Sequence, residues 1–204
     1  MIGAVCCRVL EKEVHSVLQQ AGVEHRMYVL DWGLHIYPDK LSKEVESGVQ
    51  TLEQEVDAVL LGFGRCQMRD KLSRAFQVPL AFPEGEDCIG VLLGQQRYER
   101  ELLNEAGTWF LTPGWAELGL EFVFRELQVS HFANKGKDPL SMARYMLQDY
   151  SRVLLINSGV CSNEQLLRQG REIADALELP LEQTNGSLSS LQTALEEGLD
   201  KVND

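Results

Sequence analysis

Four times between Ile2 and Leu103 the chain runs from a short apolar stretch into a segment of helical periodicity, and this alternation constrains the fold more than any other feature. Ile2–Leu10 (Ile-Gly-Ala-Val-Cys-Cys-Arg-Val-Leu) reads as a strand. Glu11–Gln20 follows with Val14, Val17 and Leu18 at i, i+3 and i+4, a helix closed near Gly22. His25–Leu30 is a second strand, and Pro38 then opens a helix whose stripe is Leu41, Val45, Val49, Leu52 and Val56. Ala58–Phe63 is apolar throughout, as a strand covered on both faces should be, and leads to a short helix around Lys71–Phe76. Val78–Phe82 is the fourth strand. It breaks at Pro83-Glu84-Gly85, and Asp87 stands where an N-cap belongs, so Cys88 falls in the first turn of a helix continuing through Tyr98, Leu102 and Leu103. Four strand–helix units in succession predict a parallel sheet with right-handed crossovers.

The second half is less regular. Gly107–Trp115 reads as a fifth strand ending in a turn, and Ala116–Phe132 and Pro139–Tyr150 as helices about the polar loop Asn134–Asp138. Arg152–Asn157 is a further strand. Ser162 with Gln165 makes a capping box for a helix carrying Leu166, Gly170, Ile173, Ala174 and Leu177. Asn185-Gly186 turns into a last helix over Leu188–Leu199. With no linker or tandem repeat, the expectation is one doubly wound, Rossmann-like α/β domain over residues 1–204, its mainly parallel sheet flanked by helices.

Charge and cysteine content narrow the function. A formal net charge of −12 repels phosphate backbones, which argues against nucleic acid as a partner. No apolar run is long enough to span a bilayer and the N-terminus lacks a signal-peptide pattern, so a cytoplasmic protein is expected, without a membrane partner. In that compartment five cysteines, an odd number, argue against a disulfide framework and leave metal or thiol chemistry open. Oligomeric state is not legible.

The expected strand ends collect the chemically capable residues. Cys7 ends the first strand, His35 follows the second, Cys66 the third and Cys88 the fourth. In an open parallel sheet these carboxyl ends share the edge at which ligands bind. Three thiolates and an imidazole are a ligand set for zinc, and less commonly for copper, iron or an iron–sulfur centre. Taken singly, each has a plainer reading: Cys7 as core, His35 as a donor to a carbonyl, Cys88 as a small apolar residue under a loop. Cys88 at a helix N-terminus is the thiol expected to favour the thiolate. Cys6 should point away from Cys7, because neighbours on a strand face opposite sides. Cys161 is a possible fifth member. Asp31 is expected either to orient His35 or to cap backbone, and Glu84 and Glu86 to be solvated. Gly64, permitting close backbone approach, and Trp115, a wall for a pocket, are the candidate cofactor-lining residues. Gly62-Phe-Gly64 lacks the third glycine of a dinucleotide fingerprint.

Several stretches together resemble the domain of unknown function 1638 family over most of the chain. They are Cys7-Arg-Val-Leu10, Leu30-Asp-Trp-Gly-Leu-His-Ile-Tyr-Pro38, Leu61-Gly-Phe-Gly-Arg-Cys66, Asp87-Cys-Ile-Gly-Val-Leu-Leu-Gly94 and Gly107-Thr-Trp-Phe-Leu-Thr-Pro-Gly-Trp-Ala-Glu117. The resemblance implies cysteine or histidine at the positions of Cys7, His35, Cys66 and Cys88, without an established activity. It further implies company with corrinoid-dependent methyltransferases, hence a corrinoid protein or methyltransferase as partner and a role in one-carbon, methyl metabolism. Three functions are therefore expected to compete: a metal-dependent protein, a non-enzymatic accessory factor or metallochaperone for such a system, and a metal-free small-molecule binder.

Overall fold

A computed structural model describes residues 1–65 and 76–203. Every strand pairing in it is parallel, and the chain is α/β. The strands form two sheets, and the polypeptide divides into two compact units: Met1–Gln95 with the segment from Ser187 onward, and Gln96–Gly186.

In the first unit β1 (Ile2–Cys7) lies between β2 (His25–Leu30) and β3 (Ala58–Gly62), with the two-residue β4 (Leu80–Ala81) beyond β3. The inner strands are buried almost throughout, whereas β2, at the edge, is mostly half-buried. The expected first strand is shortened: after Cys7 the backbone turns into a 3-10 segment, Arg8–Leu10, which leads into α1 (Glu11–Gln20). The fourth strand likewise keeps only the middle of its expected span. The expected helix at Lys71–Phe76 lies almost wholly outside the described residues.

Strand alternation assigns the faces. Val5, Val59 and Leu61 pack with Leu41, Val45, Val49 and Leu52 of α2 (Pro38–Leu52), and Cys7 packs against the same cluster. Cys6 faces the other way. Its Cβ and Val14 of α1 occupy the space a side chain on Gly62 would need. The C-terminal helix, Ser189–Asn203, crosses to this unit and approaches β4, with Gly198 against Ala81. Burying one Leu or Val of such a stripe stabilises a fold by about 1.5–3 kcal/mol, so the two apolar faces are what hold the sheet.

The enclosure of Cys6 has a measurable result. Burial pushes its thiol far above the ordinary value of about 9, with Cys7, Glu11 and Glu13 adding to the shift. The folded chain keeps this proton while the unfolded chain releases it, so the contribution is complete below pH 9 and is lost as pH rises above it. In reduced, metal-free protein, stability should fall by roughly 1.4 kcal/mol per pH unit from this group above pH 9. Urea midpoints from pH 8 to 10.5 should show that slope in the wild type and a shallower one in Cys6→Ala; equal slopes would assign the loss to other groups.

The single helix expected from Cys88 through Leu103 is two. α3 (Cys88–Leu93) ends at Gly94, whose φ of +76° is a conformation that side chains rarely adopt, and α4 (Gln95–Asn104) begins at once. In the second unit β5 (Thr108–Leu111), β6 (Arg152–Asn157) and β7 (Leu181–Asn185) form a sheet in that order. β7 escaped the sequence reading because Leu-Glu-Gln-Thr-Asn is a polar edge strand, mostly half-buried or exposed. The helix expected over Ala116–Phe132 starts earlier and breaks at Gly119 into α5 (Pro113–Leu118) and α6 (Leu120–Glu126), followed by a 3-10 segment, Ser130–Lys135. α7 (Pro139–Met146) and α8 (Asn163–Leu177) begin where expected, the second with Ser162 Oγ accepting from the Gln165 amide at 3.3 Å. Numbering in chain order makes the C-terminal helix α9. Among the described residues no helix is long and apolar enough to cross a membrane.

Candidate thiol site at the sheet edge

The order β2-β1-β3-β4 reverses direction between β1 and β3. From β1 the chain first adds a strand on one side, then returns to add two on the other. Such a switch point opens a crevice outside the carboxyl ends of the two central strands. Cys7 is the last residue of β1, and the β3 end beside it carries Phe63, Gly64 and Arg65.

Cys88 follows β4. Asp87 caps α3 as expected, its Oδ1 accepting from the Gly90 amide at 2.8 Å, which puts Cys88 in the first turn. The β3 loop is drawn against this cap. The Arg65 amide donates to the Gly85 carbonyl at 2.9 Å, and a Cβ on Gly64 would collide with backbone N, Cα and C of Asp87. Gly64 thus permits close approach, as its composition suggested, but that side of it is filled by the chain's own backbone.

The Cys7 thiol is held below the ordinary range, with hydrogen bonding from Cys88 as the largest influence. Burial opposes the shift; the Val9 amide and the His35 imidazole assist it, and the Asp31 carboxylate opposes it. Cys7 is half-buried and Cys88 is 8% exposed.

His35 lies in a 3-10 turn, Leu34–Ile36, after β2. Its Nδ1 is 2.9 Å from the Trp32 carbonyl. A carbonyl only accepts, so Nδ1 carries the proton, and a neutral ring then has its lone pair on Nε2. Asp31 has the plainer of its two expected roles: its Oδ1 accepts from the Gly33 amide at 2.9 Å. The orienting partner of His35 is thus a backbone oxygen three residues back, which no side-chain pattern reveals. Among the described residues no group of three His, Cys, Asp or Glu side chains is arranged to hold a metal ion. Cys66, the remaining expected ligand, lies outside the described residues and directly follows Arg65.

The other candidates divide between the two units. Glu84 and Glu86 are exposed, as expected of solvated turn residues. Trp115 and Cys161 belong to the second unit. Trp115 sits on α5 with its ring stacked on Phe122 at 4.8 Å, and its indole N–H is buried without a partner among the described residues. Cys161 is half-buried in the turn before α8. A cavity of about 380 Å³ between α1 and α9, lined by Val17, Ala21, Leu195 and Leu199 among others, is at the C-terminal end of α1. A crossover helix runs back along its strand, so this cavity marks the opposite sheet edge from the thiols.

A family model described as Protein of unknown function (DUF1638) matches residues 29–195. The matched span includes His35, Cys66, Cys88 and Trp115; Cys7 precedes it. A search of curated proteins found no match.

Proposed function

The chain belongs to the DUF1638 family, and from that premise we propose that it is a metal-binding protein, its ion zinc or else iron, with Cys7, His35, Cys66 and Cys88 as ligands. The supporting observation is the contact between the Cys7 and Cys88 thiols, delivered by β1 and by the first turn of α3. Two sulfurs bound to one tetrahedral zinc stand roughly 3.3–4 Å apart, a separation of the same order as that of hydrogen-bonded thiols. The histidine supports it as well: Nδ1–H on a carbonyl, with the lone pair on Nε2, is how a metal-binding imidazole is usually held.

Bound there, an ion would keep the thiolates deprotonated and add Lewis acidity at any position left open. The chain's own part is to hold the donors on fixed elements: β1 is paired on both sides, and Asp87 locks the turn that carries Cys88. A corrinoid protein or methyltransferase is the partner class in this proposal, with the site serving methyl transfer to a thiol or delivery of the ion. Methyl transfer from a methylated corrinoid to a thiol separates those two roles.

Metal analysis of protein purified without oxygen tests the reading. The wild type should carry about one zinc or iron per chain, and Cys88→Ser and Cys66→Ser each only about a tenth of that. Wild-type protein without stoichiometric metal, or a Cys88→Ser variant that retains it, would overturn the proposal.

A further inference from the structure

We propose that His15 and His25 form a separate site for a divalent transition-metal ion that favours imidazole nitrogen, such as zinc or nickel. The inference uses none of the residues of the thiol site and does not depend on that reading. The two rings are neighbours within the first unit, their centroids 5.5 Å apart and their planes at 75°. Two imidazoles on one tetrahedral ion, with zinc–nitrogen bonds of about 2.0–2.1 Å, hold their centroids roughly 5 Å apart. The observed separation is therefore close to the bound one.

The elements place both residues by their own periodicities. On α1 the side chains of Val14, Val17 and Leu18 are buried, which leaves His15 on the exposed side of the helix. His25 opens β2, an edge strand, and shares a face with Met27 and Val29, whereas Tyr28 and Leu30 pack toward α2.

One ring is held and the other adapts. His25 pairs with Ile2 of β1, and the Ile2 amide donates to the Glu24 carbonyl at 2.9 Å, so the backbone beneath the ring is fixed. His25 Nδ1 is 3.0 Å from the Val23 carbonyl, which only accepts. Nδ1 therefore carries the proton, and a neutral ring has its lone pair on Nε2, the usual state of a metal-binding imidazole. The exposed His15 ring turns about χ2 at little cost, since that torsion is broad, and so brings its own lone pair to the ion. Among the described residues no third His, Cys, Asp or Glu side chain joins the pair. Water completes the coordination, which makes this an exchangeable site and not a closed structural one. Cys7 pairs with Leu30, five residues along β2 from His25. That is about 16 Å along the strand, too far for the two sites to share an ion.

The test is a zinc titration of reduced, metal-free, full-length protein labelled with 15N, followed at the imidazole nitrogens by NMR. His15→Ala and His25→Ala assign the two rings. In the wild type the Nε2 resonances of His15 and His25 should move along one common curve. In His15→Ala, His25 should need about tenfold more zinc, or more, to reach half its shift, because loss even of an outer-shell partner costs 10–100-fold in affinity. Alanine suits an exposed helix position, so this variant keeps the fold. Three results would overturn the proposal: either ring unmoved at excess zinc, the two rings following separate curves, or His25 responding at the same zinc concentration without His15. His35 reports the thiol site in the same spectra. Movement of His35 alone supports the thiol site alone, and movement of His15 and His25 without His35 supports this one alone.

Discussion

Gly64→Ala should destabilise the first unit by about 1–3 kcal/mol, toward the upper end of the range for overpacked sites. The added Cβ would meet backbone N, Cα and C of Asp87, and none of these can rotate away as the end of a flexible side chain could. Relief requires the loop after β3 to part from the cap of α3. That movement strains the Arg65–Gly85 hydrogen bond and the Asp87–Gly90 cap together. Because Cys88 follows Asp87 directly, the same displacement should loosen its contact with Cys7. Urea unfolding compared with Gly22→Ala, where nothing stands within 4 Å of the new Cβ but φ is +65°, separates crowding from backbone strain. Gly64→Ala should show the larger loss. An equal or smaller one would mean that the loops tolerate separation and that Gly64 is not what draws them together.

Arg152→Met should cost about 2–3 kcal/mol, somewhat less than the rupture of a fully buried ion pair. Arg152 opens β6 with its side chain 14% exposed. Nη2 bonds Glu101 of α4 and Nη1 bonds Glu182 of β7, each at 2.7 Å, and Nε donates to Thr108 Oγ1 of β5 at 2.9 Å. One guanidinium thus ties all three strands of the second sheet to a helix. Burial opposes its charge, but the hydrogen bonds it donates to the two carboxylates outweigh that and hold it protonated. Methionine keeps the volume but leaves Glu101, 23% exposed, without its cation; Glu182, more than half exposed, loses less. Glu101→Gln in the Arg152→Met background should therefore recover about 1 kcal/mol or more. A double-mutant cycle showing no coupling would assign the loss to packing instead.

Legibility in the sequence followed the range of the interactions. The β2 and α1 bounds, the parallel class, the Asp87 cap and the first-turn place of Cys88 rest on neighbours within a few residues, and they were readable. The opposed faces of Cys6 and Cys7 also follow from strand alternation. Breaks were harder. Gly94 and Gly119 each interrupt a continuous apolar period, and a glycine letter does not say whether its φ is positive. β7 was missed because an edge strand with polar residues carries no apolar run. At the site, the group that lowers the Cys7 thiol comes from a residue far away in sequence, and the orienting group of His35 is a backbone carbonyl.

Alternation of apolar strands with amphipathic helices, by itself, determined that this chain builds parallel α/β structure, because short apolar runs must be covered on both faces and crossovers must return the chain to the same edge. It also determined that Cys7, His35 and Cys88 would stand at or just after strand ends. Which of those ends are neighbours was decided only by strand order. β1 pairs with both β2 and β3, which sets Cys7 at the switch point between β1 and β3. The physical reason is that a strand's burial pattern specifies which face it buries and not which strand it pairs with. Partner choice is made by packing between distant segments: α2 against Val5, Val59 and Leu61, and Cys6 against the bare backbone of Gly62.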